Sequence, residues 1–449
     1  MAHSPFSTVS LVVRIRGRVD EAMLRAAVKK VQQRHEVLHS RMVLHEDELW
    51  LTTMDVEPIP IDVFPRMNEE TWITATREDC ARPYAFDRQP AIRFLLLQSR
   101  EICDVVIQCH HTICDGMSLA YLGRDLMVYL GVPDQPVEAL PDPAPIGPEN
   151  FPRGVKLPSV VKFFVNQINK KWADEQVVFD QQDYLALNQA YWQRYHHQML
   201  AVDLTREQTE SLVVRCRQED VTVNTALVAA FIGAQTLVLG ADSMPANIGV
   251  AADLRQRLDP PPGEGMGFYA GAVTEDLPYD LSLSFWENAR KIHKKLTPMF
   301  TDKKLFADAV MWSALTPATL QAINYKRLGG LVPPESAKHE KLNNFSQRTD
   351  VISDMLKRNR MTSLDELIMG SAVTNLTRLD FPTKYGKLEL ERMILKPGGA
   401  FPLATVNLVV GAVTAANRLS LVIEYAEERL DARTAGIIKN QAVTHLLGE

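Results

Sequence analysis

One segment of the chain reads as a strand, a tight turn and a helix, and it restricts the possible folds more than any other feature. Residues 103–109 form an apolar run, residues 110–116 form the turn His-His-Thr-Ile-Cys-Asp-Gly, and Leu119, Leu122, Leu126 and Leu130 then share one helical face. A buried strand that leads directly into an amphipathic helix is typical of α/β proteins. Because such turns often carry functional side chains, this turn is the first candidate site.

Strands and helices alternate in the same way along the rest of the chain. Near the amino terminus, residues 9–15 alternate between apolar and polar, which predicts a half-buried strand, and the apolar spacing after Asp20 predicts a helix that ends near His35. The apolar runs at 92–97 and 103–109 predict a hairpin. In the second half, helices are expected after Thr205 and Thr222 and from Leu430, and strands at 248–252, 272–274, 372–376, 405–413 and 419–425.

A proline-rich segment separates the two halves. Eight of the 26 prolines lie between Pro133 and Pro158, and proline lacks the amide hydrogen that a helix or a sheet needs. We therefore expect a first half at residues 1–180, which includes a crossover linker at 131–180, and a second half at residues 181–449. Residues 300–365 are rich in lysine, and the Gly-Gly and Pro-Pro pairs at 329–334 predict a surface excursion there.

Composition excludes several classes of protein. The 449 residues are enough for two or three domains, and 46% hydrophobic with 23% charged residues is typical of a soluble globular chain. The 49 basic and 55 acidic residues give a net charge of −6. A chain with this charge lacks the excess of basic residues that is typical of a nucleic-acid binder. The five cysteines show no CxxC spacing, so reduced thiols in the cytoplasm are expected rather than a disulfide framework or a zinc site.

Nothing in the sequence predicts a membrane anchor or a secretion leader. The most apolar segment, 225–239, is too short to cross about 30 Å of hydrocarbon. Polar and basic residues interrupt the first turns of the chain, where a leader would be apolar. We expect a monomer that has no transmembrane segment.

The strongest chemical signal is the double histidine of the turn, in the pattern HHxxxDG. Histidine titrates near neutral pH and can take a proton from a hydroxyl or amine that attacks a carbonyl. We predict catalytic roles for His110, His111, Asp115 and Gly116, with His111 as the general base. We interpret Asp115 as a structural residue that pairs with an arginine, and Gly116 as the residue that allows the backbone geometry of the turn.

Two alternatives compete with a histidine base. A random pair of histidines usually serves only to pack a protein interior, and the strand-and-turn context argues against that interpretation here. A metal site would use the same residue types, but adjacent residues of a strand point to opposite faces and seldom bind one ion together. No metal is therefore expected.

The motif and several other segments resemble the chloramphenicol acetyltransferase superfamily, which includes condensation domains of peptide synthetases and standalone polyketide-associated acyltransferases. Similar segments are Gly17 to Asp20, Arg34 to Leu38, Pro83 to Arg93, Val221 to Asn224, Ala252 to Arg255, Gly267 to Gly271 and Thr374 to Asp380. The resemblance implies two similar α/β halves, each a mixed sheet with flanking helices, that form a V-shaped pseudo-dimer. It also places His111 in a tunnel that donor and acceptor enter from opposite ends. The DFGWG motif of plant BAHD acyltransferases is absent.

The resemblance also implies roles for residues outside the turn. It suggests Arg255 as the ion-pair partner of Asp115, and the alternative is an ordinary surface charge. It suggests that Thr374 and Asn375 face the developing oxyanion or the tunnel, and the alternative is that both are plain strand residues.

The implied activity is acyl transfer from a thioester to a hydroxyl or amine of a small molecule. The donor would be acyl-coenzyme A or the phosphopantetheine thioester of a carrier protein, a co-substrate rather than a resident cofactor. Since no nucleophile is evident and Cys114 reads as a small core residue, direct attack without an acyl-enzyme is expected. The alternative function is a catalytically silent relative that binds a carrier or partner protein.

A lysine cluster is the candidate donor-binding patch. Lys291, Lys294 and Lys295 lie close together, with Lys303 and Lys304 shortly after them. They would suit coenzyme A phosphates or an acidic carrier protein. The alternative is a solvated helix face.

Overall fold

A computed structural model describes residues 3–45, 48–141, 146–175, 177–243, 245, 247–358, 369–398 and 406–448. The strands in these residues are β1 Thr8–Arg16, β2 Arg41–His45, β3 Glu48–Thr52, β4 Ile61–Pro65, β5 Ile92–Gln98, β6 Ile102–His110, β7 His197–Asp203, β8 Asn247–Asp253, β9 Ala270–Asp276, β10 Met369–Arg378, β11 Lys384–Tyr385, β12 Leu388–Lys396, β13 Val406–Ala415 and β14 Arg418–Ala426. The helices are α1 Glu21–Arg34, α2 Thr71–Cys80, α3 Gly116–Gly131, α4 Ser159–Asp174, α5 Gln181–Arg194, α6 Arg206–Gln218, α7 Val223–Leu239, α8 Phe285–Leu296, α9 Asp302–Leu305, α10 Ala307–Ala314, α11 Pro317–Leu328, α12 His339–Gln347, α13 Val351–Arg358 and α14 Ala432–Leu447.

Two mixed six-stranded sheets form the framework of two lobes. The first sheet has the order β11-β12-β1-β6-β5-β4, and the second has the order β7-β14-β13-β10-β8-β9. Each sheet combines antiparallel and parallel pairs. The parallel pair of the first sheet is β4 with β5, and the second sheet has two, β10 with β8 and β10 with β13. Helices pack on both sheets over separate apolar cores. The predicted fold class, two α/β halves with mixed sheets and flanking helices, is confirmed.

The two lobes share one segment of chain. The strands β11 and β12 come late in the sequence, and yet β12 pairs antiparallel with β1 of the first sheet. Buried charges on β12 also reach the second sheet, because Lys396 lies 3.0 Å from Glu424 on β14. The boundary expected at residue 180 stays a prediction, but residues 384–396 return to the first lobe. The lobes are therefore held together by a strand as well as by side chains.

Strand β1 differs from its sequence prediction. The alternation of residues 9–15 predicted a half-buried strand, but both faces of β1 are covered. Leu11, Val13 and Ile15 lie in the first-lobe core, and Val12 packs with Trp72 of α2 in a second apolar cluster. The polar side chains find buried partners there: Arg14 donates to Asp104 over 2.7 Å, and Ser10 bonds to Gln108. Alternating polarity thus reflects buried ion pairs and hydrogen bonds rather than contact with water.

A third, wholly helical core corrects two further expectations. The crossover linker predicted at 131–180 contains the helix α4, and the surface excursion predicted within 300–365 is largely helix α10 to α13. Tyr325 and Leu328 of α11 are fully buried in this core, where Tyr325 stacks on Phe179 at 3.9 Å between ring centroids. The lysine content of this region predicted a solvent-exposed segment, although an apolar periodicity was also present. Long charged side chains can cover apolar surface while their charged ends stay in water, so a lysine-rich helix can still pack on a core.

No single helix within the described ranges is long and apolar enough to cross a membrane. Helices α6 and α7 reach that length and hydropathy only as a pair, and the chain bends by 95° between them.

Candidate active site

The histidine turn lies where the two lobes meet. Strand β6 ends at His110, and helix α3 begins at Gly116, so the motif spans the strand-to-helix turn as predicted. Asp115 caps the helix by accepting a hydrogen bond of 2.7 Å from the amide of Ser118. Such a cap satisfies one of the amides that lack a partner in the first turn of a helix.

His111 is half-buried, and both of its ring nitrogens face backbone carbonyls. Nδ1 lies 3.1 Å from the oxygen of Cys114, and Nε2 lies 3.2 Å from the oxygen of Gly398. A neutral imidazole has one N–H and can donate to only one of these oxygens. An imidazolium could donate to both, so the site can accommodate His111 after it has accepted a proton.

Burial lowers the pKa of His111 below its ordinary value of 6.5, and the carbonyls of Cys114 and Gly398 oppose that shift. The ring is therefore neutral near pH 7. A neutral ring keeps a lone pair on one nitrogen, which is what a general base needs.

An aromatic side chain of the second lobe contacts the same ring. Phe268 meets His111 edge-on, with 5.3 Å between ring centroids, and 43% of Phe268 is exposed. The sequence placed Phe268 in a glycine-aromatic segment of the resemblance but gave it no role. Its position beside His111 could not be read from the sequence, because some 157 residues separate the two along the chain.

The neighbouring His110 lies on the opposite side of the strand end. Only 1% of His110 is exposed, and Tyr84 and Phe86 pack edge-on against its ring at 5.6 and 5.0 Å. Its nitrogens contact Thr112 Oγ1 at 2.5 Å and the oxygen of Ser4 at 3.2 Å. Burial lowers the pKa of His110 to about 3. We therefore correct the catalytic role expected of His110 to a packing role, because adjacent residues of a strand face opposite sides.

Asp115 joins the two lobes. Its two oxygens accept hydrogen bonds of 3.0 Å from Nη1 and Nη2 of Arg255, and its Oδ2 also accepts one of 2.9 Å from the amide of Tyr269. Arg255 is 1% exposed and donates further to Ser118 Oγ over 2.7 Å. Arg255 is thus no surface charge, and this bidentate geometry fixes the turn relative to the second lobe.

The structure gives a different reason for glycine at position 116 than the sequence suggested. It is not one of the described glycines that adopt a positive φ. A Cβ on Gly116 would instead lie 2.8 Å from Cδ2 of Leu376 on β10. Close approach of the two lobes, rather than turn geometry, is what favours a small residue here.

Strand β10 separates the two candidate oxyanion residues. Thr374 and Leu376 alternate with Asn375 along the strand, and Leu376 contacts Gly116, so Thr374 lies on the face toward the first lobe. Asn375 lies on the opposite face, where its Oδ1 accepts a hydrogen bond of 2.8 Å from the amide of Thr377. We correct the expectation for Asn375, which does not face His111.

Asn375 instead lines a cavity of about 850 Å³ in the second lobe. Its walls are partly apolar, with Leu212, Val223, Leu296 and Phe300, and its cationic residues are Arg206, Arg217 and Arg378. One acidic residue, Glu210, also lines it. The cavity suits an anionic ligand with an apolar part.

The lysine cluster is not part of the cavity lining, and it is largely paired with acidic groups. Lys291 lies 3.6 Å from Asp280, and Lys295 lies 3.9 Å from Glu275, while Lys294 is exposed. Lys304 also approaches Glu275, at 3.4 Å. Exposed pairs of this kind contribute little to stability, and the acidic partners reduce the positive potential that was expected to attract a donor.

Two other expectations concern groups near the turn. Cys114 is fully buried, and its Sγ lies 3.4 Å from the oxygen of His110. Burial raises the pKa of this thiol well above its usual value, so it stays protonated and unreactive. Among the described residues, no group of three or more histidine, cysteine, aspartate or glutamate side chains could hold a metal ion.

Two mixed sheets joined at a histidine-bearing turn define the class of two-lobed α/β proteins that the sequence resembles. Residues 1–141 match the family model of the condensation domain, and residues 195–300 match the model described as the C-terminus of phthiocerol/phthiodiolone dimycocerosyl transferase. The predicted resemblance is confirmed: the two segments match a condensation domain and a polyketide-associated acyltransferase, which is consistent with the chloramphenicol acetyltransferase-like superfamily.

Curated relatives are much longer proteins. The chain is 23% identical over 313 residues to the nonribosomal peptide synthetase kk1B of Curvularia clavata, a match that covers 68% of this chain and 2% of that protein. It is 32% identical over 124 residues to a linear gramicidin synthase of Brevibacillus parabrevis, which covers 25% of this chain and again 2% of the relative. The chain thus corresponds to a small part of these synthetases.

Solved structures share the fold over almost the whole chain. The SgcC5 protein of Streptomyces globisporus, in complex with a naphthyl ethanediol, has a TM-score of 0.57 at 13% identity and covers 100% of this chain and 93% of its own. The first condensation domain of the calcium-dependent antibiotic synthetase has a TM-score of 0.59 at 13% identity, over 99% and 91%. Polyketide synthase associated protein 5 of Mycobacterium tuberculosis has a TM-score of 0.55 at 16% identity, over 98% and 93%.

Proposed function

We propose that this protein is an acyltransferase that moves an acyl group from a thioester to the hydroxyl or amine of a small molecule, with His111 as the general base. The observation that carries the proposal is the environment of His111. Its ring is neutral, half-buried at the junction of the lobes, and surrounded by carbonyls that can stabilise its protonated form. The family models, which describe condensation domains and an acyl transferase, support a transferase in general.

The ring tautomer assigns the base. We place the single N–H of the neutral ring on Nδ1, where it donates to the Cys114 oxygen 3.1 Å away, so the lone pair is on Nε2. The acceptor replaces the Gly398 carbonyl, which lies 3.2 Å from Nε2, and gives up its proton to that nitrogen as its own oxygen or nitrogen bonds to the thioester carbon. The C–S bond then breaks, and His111 returns the proton to the departing thiolate. The products are an ester or amide and a free thiol.

Direct attack by the acceptor requires no acyl-enzyme. Cys114 is buried and protonated, which removes the thiol of the HHxxxDG turn as a nucleophile. The oxyanion of the tetrahedral intermediate needs a hydrogen-bond donor, and the hydroxyl of Thr374 is our candidate because it lies on the face of β10 toward the turn.

For the donor, the second-lobe cavity is a better phosphate site than the predicted lysines. Arg206, Arg217 and Arg378 line it, and Arg378 lies 3.5 Å from Asp380, while two of the predicted lysines, Lys291 and Lys295, both face acidic groups. Arginine binds phosphate oxygens in a bidentate manner, and about 850 Å³ lies within the usual range for a ligand cavity. We place the phosphates of the thioester donor there. The naphthyl ethanediol in the SgcC5 structure supports a hydroxyl-bearing acceptor.

A product-based assay tests the proposal. Purified protein would be offered a panel of acyl-coenzyme A and acyl-carrier thioesters with hydroxyl and amine acceptors, and the products identified by mass spectrometry. We expect thiol release that depends on an acceptor and is lost in His111→Ala. The matched control is His39→Ala, because His39 is exposed in the first lobe. Full turnover by folded His111→Ala would refute the base, and absence of any product across the panel would favour the silent, carrier-binding alternative.

A further inference from the structure

Helix α4 exposes an aromatic face that the proposed chemistry does not use. Val160, Phe163 and Phe164 are 66%, 59% and 56% exposed, and the spacing of three and four residues places them on one side of the first turns. The two phenylalanine rings lie 5.8 Å apart and pack mainly on each other. Phenylalanine is among the residues most often fully buried, so two adjacent exposed rings point to a surface that is covered in use.

The helix cannot turn this face inward, because its other side is fixed. Val165 and Trp172 are buried in the helical core. Asn169 donates over 2.8 Å to the oxygen of Ala314 and accepts over 3.2 Å from the amide of Thr316. The aromatic face is therefore held outward.

Lysines continue the same face along the helix. Lys170 and Lys171 follow Phe163 and Phe164 at a spacing of seven residues, which is two turns, and both are exposed. Lys162 is exposed beside the aromatic pair, and Asp174 is the one acidic residue of α4. The helix thus carries local positive charge on a chain whose net charge is −6.

A neighbouring helix adds further apolar surface. Helix α10 packs against α4, and its Met311 and Trp312 are 37% and 44% exposed. Aromatic side chains with flanking lysines on an outward helix are the features that place a helix at a membrane surface.

We propose that this face of α4, formed by Val160, Phe163, Phe164, Lys170 and Lys171, docks on an anionic lipid surface. The aromatic rings would enter the boundary between headgroups and acyl chains, and the lysines would contact anionic headgroups. Charge complementarity favours this occupant. The chain as a whole is acidic and would be repelled by an anionic surface, whereas the lysines of α4 would be attracted to it. The proposal does not depend on the acyl transfer proposed above.

Vesicle co-sedimentation of the full chain tests the proposal. Vesicles of phosphatidylcholine alone would be compared with vesicles that also contain phosphatidylglycerol, at low and high salt. We expect binding to the anionic vesicles at low salt, at least about tenfold weaker binding at high salt, and at least about tenfold weaker binding for Phe163→Asp/Phe164→Asp. The double variant Lys170→Glu/Lys171→Glu should lose the preference for anionic vesicles.

Matched variants control for general effects of surface charge. Leu237→Asp/Ile437→Asp introduces the same charges at helix positions of the second lobe that are 49% and 46% exposed, and it should bind as the wild type does. Lys384→Glu/Lys387→Glu is the matching control for the lysine variant, since both lysines are exposed on the β11–β12 hairpin, and it should also bind as the wild type does. Melting temperatures of all variants should match the wild type, since every substituted side chain is exposed.

Three outcomes would overturn the proposal. The first is wild-type protein that stays in the supernatant with anionic vesicles. The second is binding by the Phe163→Asp/Phe164→Asp variant equal to that of the wild type. The third is a purified acidic carrier protein that binds the wild type through this face while vesicles do not, which would assign the face to a protein partner.

Discussion

Arg255 of the second lobe holds Asp115 of the first lobe through two hydrogen bonds of 3.0 Å, and both side chains are almost fully buried. Asp115 is also the cap of helix α3, four residues after His111. One carboxylate thus fixes the helix start, the histidine turn and the relation of the lobes. Every position derived for His111 depends on this pair.

Removing one partner of this pair should be strongly destabilising. Arg255→Met leaves Asp115 buried without its counter-charge, and we expect the free energy of unfolding to fall by about 3–5 kcal/mol. Chemical denaturation measures the change. The control is Arg25→Met, whose pair with Glu21 is about half exposed and should contribute less than about 1 kcal/mol. Equal effects of the two substitutions would show that the interlobe pair does not have this role.

The rate of acyl transfer should depend on pH through His111. Burial lowers the pKa of His111 below 6.5, so the ring remains a competent base throughout the neutral range. We expect kcat/KM to be constant from about pH 6.5 upward and to fall only when the pH drops through the lowered pKa. Thiol release measured across pH gives the profile. An acidic limb with its midpoint above 6.5 would contradict the assignment.

Stability should also decrease in acid, through different histidines. Burial lowers the pKa of His110 to about 3 and that of His3 to about 4, whereas both bind protons near pH 6.5 in the unfolded chain. Their contribution is therefore complete above pH 6.5 and is lost as the pH falls toward 4, with a slope of up to about 1.4 kcal/mol per pH unit for each histidine. Denaturation curves between pH 7 and 4 measure the slope. His3→Gln should make the slope shallower, and an unchanged slope in that variant would count against its buried neutral state.

Substitutions on the two faces of strand β10 should change different kinetic constants. Thr374→Val removes the proposed oxyanion donor and should lower kcat by about a hundredfold, with little effect on the donor KM. Asn375→Ala alters the cavity wall on the other face and should raise the KM for a coenzyme A thioester, with kcat retained. A large loss of kcat in Asn375→Ala together with a normal Thr374→Val would reverse the assignment of the faces.

Replacement of Cys114 should spare the chemistry. Cys114→Ala removes a buried thiol that has no catalytic step, so acyl transfer should continue at a similar rate, with a stability cost of about 1 kcal/mol for the small cavity. Intact-protein mass spectrometry with a slow thioester substrate should show no covalent acyl adduct in the wild type. An adduct on Cys114 would establish an acyl-enzyme and reject direct attack.

Local features of the site were predictable because they depend on neighbours in sequence. The apolar run before His110 and the leucine spacing after Gly116 specify a strand, a turn and a helix, and the strand, hairpin and capping predictions of both halves agree with the structure. The different surroundings of His110 and His111 were only partly predictable. Alternation along a strand says that they face opposite sides, but which side is the core depends on Tyr84 and Phe86.

Contacts between distant segments required the tertiary structure. Strand β12 joins a sheet whose members other than β11 end at least 278 residues earlier, because it supplies a partner for the free edge of β1. The same packing buries Arg14 and Ser10, which the sequence predicted to face water. It also turns Asn375 away from His111 and brings Phe268 into contact with it. Local propensity does not distinguish between many arrangements of the chain, and hydrophobic burial and ion pairing select one of them. The sequence by itself thus determined the chemical group and its turn, and the packing of the two lobes decided which side chains surround that group.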